Sequence, residues 1–366
     1  MQQSELGAWL RLSAAHGVGN VHTRRLLATF GSPEAVQDAS HAALAQVVGE
    51  RLAASIRQAD AKTLLAATLA WLEALPDRQV IAMGDPRYPS ALLQTEDPPF
   101  LIYVHGQIQA LQHPRSVALV GSRNPTPQGL DNAKAFARAL SQQGVCVVSG
   151  LALGVDGAAH EGALEGGSPT VAVVGTGLDR VYPKRHLELA RRIVQQGAMI
   201  SEYPIGTPPL APNFPRRNRI IAGLSQGTLV VEAALQSGSL ITAEQALQMG
   251  REVFAIPGSI HAPQSRGCHA LIRQGAKLVE SAQDVLEDLR WDTTLQPQTQ
   301  QSEPILDTSD PCEVMDAMGF EPCSLDRLQD RTGIDTARLQ ARLLELELDG
   351  QVSRLPGGQF QRCVPA

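Results

Sequence analysis

The chain has 366 residues, of which 43% are hydrophobic and 19% charged, a composition that excludes disordered and fibrous proteins. No apolar run reaches the roughly 18 residues that a membrane-spanning helix needs. Residues 1–12 lack the charged and then apolar layout of a signal peptide, so we expect a cytoplasmic protein.

The net charge of −6 is distributed unevenly along the chain. Residues 110–290 contain 17 Lys and Arg against 14 Asp and Glu, whereas the segments before and after them are acidic. Phosphate affinity depends on local cations rather than on the charge of the whole chain. The sequence therefore predicts that any phosphate-binding surface lies in this middle region.

The five cysteines include no C-x-x-C pair, and no cluster of Cys and His has the spacing of metal ligands. Cys268 and His269 are adjacent, but neighbouring side chains on a helix or strand point apart. We expect neither a disulfide framework, nor a metal site, nor a cofactor.

Residues 1–75 are predicted to form a helical domain. Two helices, Leu6 to Ala14 and His22 to Phe30, are joined by Gly17-Val18-Gly19. The pattern resembles a helix-hairpin-helix, in which glycines let backbone N–H groups approach a phosphate. An ordinary helical corner that needs glycine for a positive φ explains it equally well.

Residues 76–290 are predicted to form the next domain. The stretch from Asp77 to Gln112 is rich in proline and is interpreted as an irregular connecting lobe. Short β-branched runs then alternate with helical stretches, the pattern of an α/β protein with a mainly parallel, Rossmann-like sheet. The predicted strands are Val117 to Val120, Val145 to Ser149, Thr170 to Val174, Ala198 to Ser201, Thr228 to Val231, Val253 to Ile256 and Lys277 to Val279.

Residues 291–305 are polar, contain two prolines and show no apolar period, which predicts a linker. Residues 306–366 follow the pattern of a winged helix. Its predicted helices are Cys312 to Met318, Leu325 to Gln329 and Thr336 to Leu348, followed by a hairpin of Val352 to Leu355 and Gln359 to Arg362.

Glycine-rich loops follow several of the predicted strands. In this architecture such loops lie at the carboxyl edge of the sheet, where helix N-termini attract anions. No G-x-G-x-x-G follows the first strand, which disfavours a dinucleotide site. Four loops on one edge indicate an extended anionic ligand: Gly121-Ser122-Arg123, Ser149 to Gly154, Gly175-Thr176-Gly177 and Ser237-Gly238-Ser239.

The segment Asn213 to Arg219 combines one aromatic ring, three guanidinium groups and two amides. These are the groups with which proteins bind single-stranded nucleic acid: stacking rings for bases and cations for phosphates. Phe214 as a core residue beside solvated arginines is the alternative.

At this point the sequence resembles the DprA/Smf family, the DNA-processing proteins of bacterial natural transformation. The likeness is dense from about residue 85 to 290. It is carried by Val120-Gly121-Ser122-Arg123, Gly154-Val155-Asp156, Gly177-Leu178-Asp179 with Tyr182-Pro183, the stretch Asn213 to Gly223, Ser237 to Ala243, and Ala255 to Ser259.

The resemblance implies a non-enzymatic homodimer that binds single-stranded DNA, displaces or coexists with single-strand-binding protein, and loads RecA for recombination. It also implies that residues 1–75 form a domain of the sterile-alpha-motif or helix-hairpin-helix kind, and it attributes the dimer surface to the region around Cys268 to Lys277. Some relatives carry a lysine where this chain has Ala211, which leaves open whether Arg216 replaces it. The DNA-binding residues that we predict are Gly121, Ser122, Arg123, Gly154, Lys184, Arg185, Asn213, Phe214, Arg216, Arg217, Asn218, Arg219, Ser237, Gly238 and Ser239.

Two groups of residues suggest catalysis instead. Asp156 and His160 share a helix face, but a role in bracing the loop fits them better. Glu232 resembles the glutamate of the cytokinin-activating nucleoside-monophosphate phosphoribohydrolases, although their Pro-Gly-Gly is replaced here by Leu224-Ser225-Gln226. A hydrolase that uses Glu232 is therefore the alternative function, and we predict no catalytic residue.

A winged helix could bind duplex DNA. Its third predicted helix carries Arg338 and Arg342, but acidic residues surround them and oppose phosphate approach. We favour partner docking over duplex binding, and a transcription regulator remains a third hypothesis.

Overall fold

The computed structural model describes residues 1–291, 313–318 and 322–363. The chain divides into two compact units, Met1–Asp292 and Thr293–Ala366. Among the described residues, no helix combines the length and apolarity required to cross a bilayer.

The first unit begins with six helices: α1 (Gln3–Ala14), α2 (Asn20–Phe30), α3 (Pro33–Asp38), α4 (His41–Val48), α5 (Glu50–Gln58) and α6 (Lys62–Ala74). Gly17 has a φ of 81° in the turn between α1 and α2, as the glycine pattern predicts. Trp9 stacks on Phe100, and Trp71 meets Tyr103 edge to face, so the helices share an apolar core with the sheet.

A sheet of nine strands follows. The chain runs through β1 (Arg78–Ala82), α7 (Ser90–Leu93), β2 (Leu101–Gly106), β3 (Ser116–Val120), α8 (Pro127–Gln142), β4 (Cys146–Ser149), α9 (Val155–Gly166), β5 (Thr170–Val173), α10 (Leu187–Gln196), β6 (Ala198–Ser201), α11 (Asn213–Leu224), β7 (Gly227–Val230), α12 (Gly238–Gln248), β8 (Glu252–Ala255), α13 (Arg266–Arg273), β9 (Lys277–Leu278) and α14 (Ala282–Asp288).

The strand order is β1-β2-β6-β5-β4-β3-β7-β8-β9. Strands β3 to β9 pair in parallel, which confirms the predicted α/β class, and all seven predicted strands are present. The residues of β3 to β7 are buried, as expected for parallel strands with helices on both faces, whereas both residues of β9 at the sheet edge are exposed.

The prediction of an irregular lobe from Asp77 to Gln112 is wrong for two stretches. β1 and β2 pair with each other, and β2 pairs antiparallel with β6 at one side of the sheet. Ile81 and Ile102 are almost completely buried there. Flanking prolines hide these strands in the sequence, but the apolar side chains complete the core.

The second unit is described by itself. It contains α15 (Glu313–Met318), β10 (Cys323–Ser324), α16 (Leu325–Thr332), α17 (Thr336–Leu348), β11 (Val352–Leu355) and β12 (Gln359–Arg362). These elements confirm the predicted winged helix, and β10 adds a third strand beside β12. The predicted linker, residues 291–305, lies outside the described residues except for Trp291.

Candidate nucleic-acid interface

A cavity of 460 Å³ opens where the chain leaves β3 and β7. These neighbouring strands continue to opposite sides of the sheet, so their loops diverge and leave a crevice between them. The predicted site residues that line this crevice are Gly121, Ser122, Arg123, Phe214, Arg217, Asn218, Ser237, Gly238 and Ser239. We call this cavity the switch-point groove.

The loop after β3 is held from two sides. The Ser122 N–H donates to the Glu232 carbonyl at 2.7 Å, and the Ser122 carbonyl accepts from the Val155 N–H at 3.1 Å. Gly154 has a φ of 80°, and a Cβ there would lie 2.5 Å from the Ser122 carbonyl oxygen. Gly154 therefore supports the loop from beneath, outside the groove lining.

Arg123 extends from this loop and is exposed. Its guanidinium carbon lies 5.7 Å from the centroid of the Phe214 ring, a cation–π distance. Phe214 is half-buried, and a Cβ on Gly175 would approach its ring to 3.2 Å. In the part of the chain that the structure describes, Arg123 has no carboxylate partner, so its charge is available to an anion.

Arg217 points inward instead. Its guanidinium donates to the carbonyls of Gly150 and Val173, and lies 3.8 Å from the Asp156 carboxylate. The side chain is only 5% exposed. Burial raises the pKa of Asp156, and the charge of Arg217 opposes that rise. The arginine predicted to bind phosphate thus braces the ends of β4 and β5.

Arg219 also forms ion pairs within the protein. Its guanidinium pairs with Glu202, and its Nε lies 3.3 Å from the Asp97 carboxylate. Burial raises the pKa of Glu202, while the Arg219 charge works in the opposite direction. Arg219 does not line the switch-point groove.

The two amides of the segment also have structural partners. Asn213 donates to the Gly175 carbonyl at 3.0 Å, and Asn218 donates to the Gly238 carbonyl at 3.2 Å. Asn218 accepts from Arg217 Nε at 3.0 Å as well. These bonds fix the start of α11 against the loops after β5 and β7.

Three predicted cations lie outside the groove lining and are exposed. Lys184 and Arg185 form a 3-10 turn after Pro183. Arg216 faces a second groove of 460 Å³, which Gly17 and Asn20 of the N-terminal helices also line. The structure therefore separates Arg216 from its neighbour Arg217, which is buried.

The start of α12 completes the groove. Ser237 caps this helix by accepting from the Ser239 N–H at 3.3 Å, and its hydroxyl lies 2.7 Å from the Ser239 hydroxyl. A helix N-terminus carries partial positive charge that favours anions. The sequence reasoning missed Asn124 and Gln236, polar residues of the same two loops that line the groove; only their position in these loops could have indicated them.

The residues considered for catalysis have bracing contacts. Asp156 accepts from the Ala152 N–H at 3.2 Å, and His160 Nδ1 lies 2.8 Å from the Thr170 hydroxyl. The Glu232 carboxylate accepts from the Thr126 N–H at 2.9 Å and from the Thr126 hydroxyl at 2.6 Å. Glu232 therefore supports the start of α8 and does not line the groove.

The fold and the groove together define a doubly wound α/β protein that presents an exposed arginine, an aromatic ring and a helix N-terminus at its switch point. Comparison with known proteins gives the family. The family described as DNA recombination-mediator protein A matches residues 79–290, and the DprA winged helix domain matches residues 296–358. The chain belongs to the DprA/Smf family.

Relatives in several bacteria support this assignment. Protein Smf of Escherichia coli is 44% identical over 80% of this chain and 79% of its own length. DNA processing protein DprA of Streptococcus pneumoniae is 48% identical over 57% of this chain and 73% of its own length.

Solved structures agree. DprA from Streptococcus pneumoniae superimposes with a TM-score of 0.68 at 37% identity, covering 79% of this chain and 98% of that one. DprA from Helicobacter pylori, studied for its single-stranded DNA binding mode, gives a TM-score of 0.53 at 31% identity, covering 58% and 95%.

Proposed function

We propose that this chain binds single-stranded DNA in the switch-point groove and acts as a recombination mediator without catalysing a reaction. The observation that carries the proposal is the exposed Arg123 guanidinium over the Phe214 ring. The DNA-binding mode studied in the Helicobacter pylori relative supports it.

Each element of the groove has a role in this proposal. Arg123 pairs with a backbone phosphate, and Phe214 stacks on a base, an interaction of about 1–3 kcal/mol. The start of α12, with its partial positive charge, and the hydroxyls of Ser237 and Ser239 bind a second phosphate. Further phosphates of the strand pair with three exposed cations outside the groove: Lys184, Arg185 and Arg216.

Arg217, Arg219, Asn213 and Asn218 act indirectly in this proposal. Their hydrogen bonds and ion pairs hold the strand ends and the start of α11 in place. We therefore assign them to positioning the groove rather than to contacting phosphate.

Single strands suit this surface better than duplex DNA. Stacking on Phe214 requires a base that is free of its own neighbours, which a single strand supplies at little cost. The bases of a duplex are already stacked and paired, and taking one out costs a few kcal/mol.

The partners follow from the family likeness. We propose that the protein works in the cytoplasm during natural transformation, protects incoming strands in the presence of single-strand-binding protein, and loads RecA. We also propose a homodimer through the region around Cys268 to Lys277. The short strand β9 supports this, because it ends the sheet there and leaves Leu278 49% exposed.

The winged helix is proposed to dock a protein partner rather than duplex DNA. On α17, Arg342 pairs with Glu345 at 2.7 Å, and the Asp335 side chain caps the helix at Arg338 N–H. Leu344 and Leu348 are 56% and 81% exposed on the same helix. A helix whose arginines are balanced by glutamates and that exposes two leucines suits a protein surface better than a row of phosphates.

The test is a mobility-shift comparison of the full chain with single-stranded and duplex oligonucleotides of equal length. We expect strong and steeply salt-dependent retardation of single strands and weak retardation of duplexes. Incubation with nucleoside monophosphates should release no free base. Preference for duplexes would contradict the single-strand assignment, and release of base would revive the Glu232 hydrolase.

A further inference from the structure

A second, smaller cavity lies beside the switch-point groove. It measures 80 Å³ and shares Arg123, Phe214 and Arg217 with the groove. Tyr182 and Thr176 line it as well, and neither of them lines the groove. We call this cavity the tyrosine slot.

The Tyr182 ring is 48% exposed, and its centroid lies 5.6 Å from that of Phe214 at an interplanar angle of 40°. Exposed aromatic rings next to an exposed arginine are what single-strand binders use as stacking surfaces. Tyr182 is therefore a second ring, in line with the one that the proposed function already uses.

Thr176 is the second observation, and it is independent of the rings. The residue is 1% exposed, and its hydroxyl has no hydrogen-bond partner among the residues that the structure describes. Its carbonyl is fixed, because it accepts from the Ser201 hydroxyl at 2.6 Å. A buried hydroxyl without a partner is costly, and in the wall of a cavity it can be satisfied by a polar ligand.

We propose that the tyrosine slot receives one nucleobase of the bound strand, with Tyr182 stacking on the base and the Thr176 hydroxyl bonding to its polar edge. The inference rests on the proposed function, because it assigns a second base contact to the same bound strand. A threonine hydroxyl both donates and accepts, so the slot tolerates every base.

A base between the two rings needs more space than their centroid separation of 5.6 Å provides. A base between two rings requires a centroid separation of about 7 Å, twice the contact distance of about 3.5 Å. The exposed Tyr182 ring supplies the additional space by moving outward. Alternatively, the base stacks on Tyr182 alone and only its edge enters the slot; both arrangements depend on the same two residues.

The experiment measures the affinity of the full chain for a thymidine oligomer of about 15 nucleotides, close to the longer known site sizes. Tyr182→Ala should weaken binding about 5- to 100-fold, the effect of losing one stacked base. Tyr182→Phe keeps the ring and should bind normally, whereas Tyr182→Leu keeps only bulk and should behave like the alanine variant. Thr176→Val should weaken binding about fivefold, the effect of one hydrogen bond.

Two further readouts distinguish stacking from a structural role. Loss of stacking leaves the slope of log affinity against log salt unchanged, whereas Arg185→Ala should reduce that slope by about 0.7. In a second series, one abasic residue is placed at each position of the oligomer in turn. At one position it should weaken binding to the wild type. At that position it should not weaken the binding of Tyr182→Ala any further, because that variant has already lost the stacked base.

The outcomes separate the two proposals. Suppose that the wild type binds single strands and Arg123→Glu does not. If the folded Tyr182 and Thr176 variants then bind like the wild type at every abasic position, the tyrosine slot does not hold a base, and the proposed function stands. If wild type fails to bind single strands at all, both fall. Non-additive effects of Tyr182→Ala and the abasic residue support the slot.

Discussion

The Arg123 guanidinium lies over the Phe214 ring at 5.7 Å, although Arg123 belongs to the loop after β3 and Phe214 to the first turn of α11. Two glycines make the approach feasible: Gly154 beneath the Arg123 loop and Gly175 beneath the Phe214 ring. The groove thus presents a cation and a stacking surface before any ligand arrives, which reduces the entropy cost of binding.

Substitution of Gly154 should weaken both stability and DNA binding, because it strains the backbone and displaces the loop that carries Arg123. Gly154→Ala places a methyl group 2.5 Å from the Ser122 carbonyl oxygen and forces a residue with φ of 80° into a strained region, at a cost of about 1–3 kcal/mol. We expect lower stability in urea and weaker single-strand binding.

Gly167→Ala is the matched control. Gly167 has a φ of 92° at the other end of the same helix, α9, and a Cβ there would meet nothing within 4 Å. It should lose stability and keep its DNA affinity. Equal affinities for the two glycine variants would contradict the role of Gly154 in placing Arg123.

Arg217 and its neighbour Arg216 should respond differently to the same substitution. Arg217→Met leaves the Asp156 carboxylate buried without its cation, which should lower the free energy of unfolding by about 3–5 kcal/mol. Arg216→Met removes an exposed charge and should leave stability unchanged while reducing the salt slope of binding. Urea unfolding and salt titrations check both; a stable Arg217→Met variant would show that Arg217 does not brace the strands.

The composition of the segment Asn213 to Arg219 predicts groups suited to single-stranded DNA, but it does not predict where each side chain points. Phe214, Arg217 and Asn218 of this segment line the switch-point groove, whereas Arg216 and Arg219 do not. The sequence could not show that Arg217 and Arg219 point to carboxylates, because Asp156, Asp97 and Glu202 are remote along the chain. Only the fold brings those charges together.

Contacts between residues remote in the sequence also explain why the sequence pattern did not predict β1 and β2. β1 and β2 are short, and prolines follow them or lie between them, so the local pattern resembled a loop. β2 joins the rest of the sheet through β6, and its residue Tyr103 pairs there with the remote Ser201. The parallel strands are predictable because most of their residues are apolar and glycine loops follow β3, β4 and β5.

Buried His160 should make stability depend on pH. Burial lowers the pKa of His160 to about 3. The Thr170 hydroxyl donates to the Val147 carbonyl and so accepts from His160 Nδ1, while Nε2 has no partner among the described residues. Below the pKa of about 6.5 that His160 has in the unfolded chain, the unfolded chain binds a proton at this residue and the folded chain does not.

Stability should therefore fall as pH drops from about 6.5 towards 3. The slope of unfolding free energy against pH should be steeper in wild type than in His160→Gln by up to about 1.4 kcal/mol per pH unit. Urea unfolding at several pH values measures both slopes. Parallel slopes in wild type and His160→Gln would show that His160 is protonated in the folded chain.

The most direct test of the central claim is the affinity of Arg123→Glu for single-stranded DNA, compared with Arg192→Glu. Both variants change the charge equally at exposed arginines, but Arg192 lies on α10 and does not line the groove. We predict that Arg123→Glu folds with normal stability and loses nearly all single-strand binding, while Arg192→Glu binds close to normally. Normal affinity in a folded Arg123→Glu protein would contradict the assignment of the switch-point groove as the DNA site.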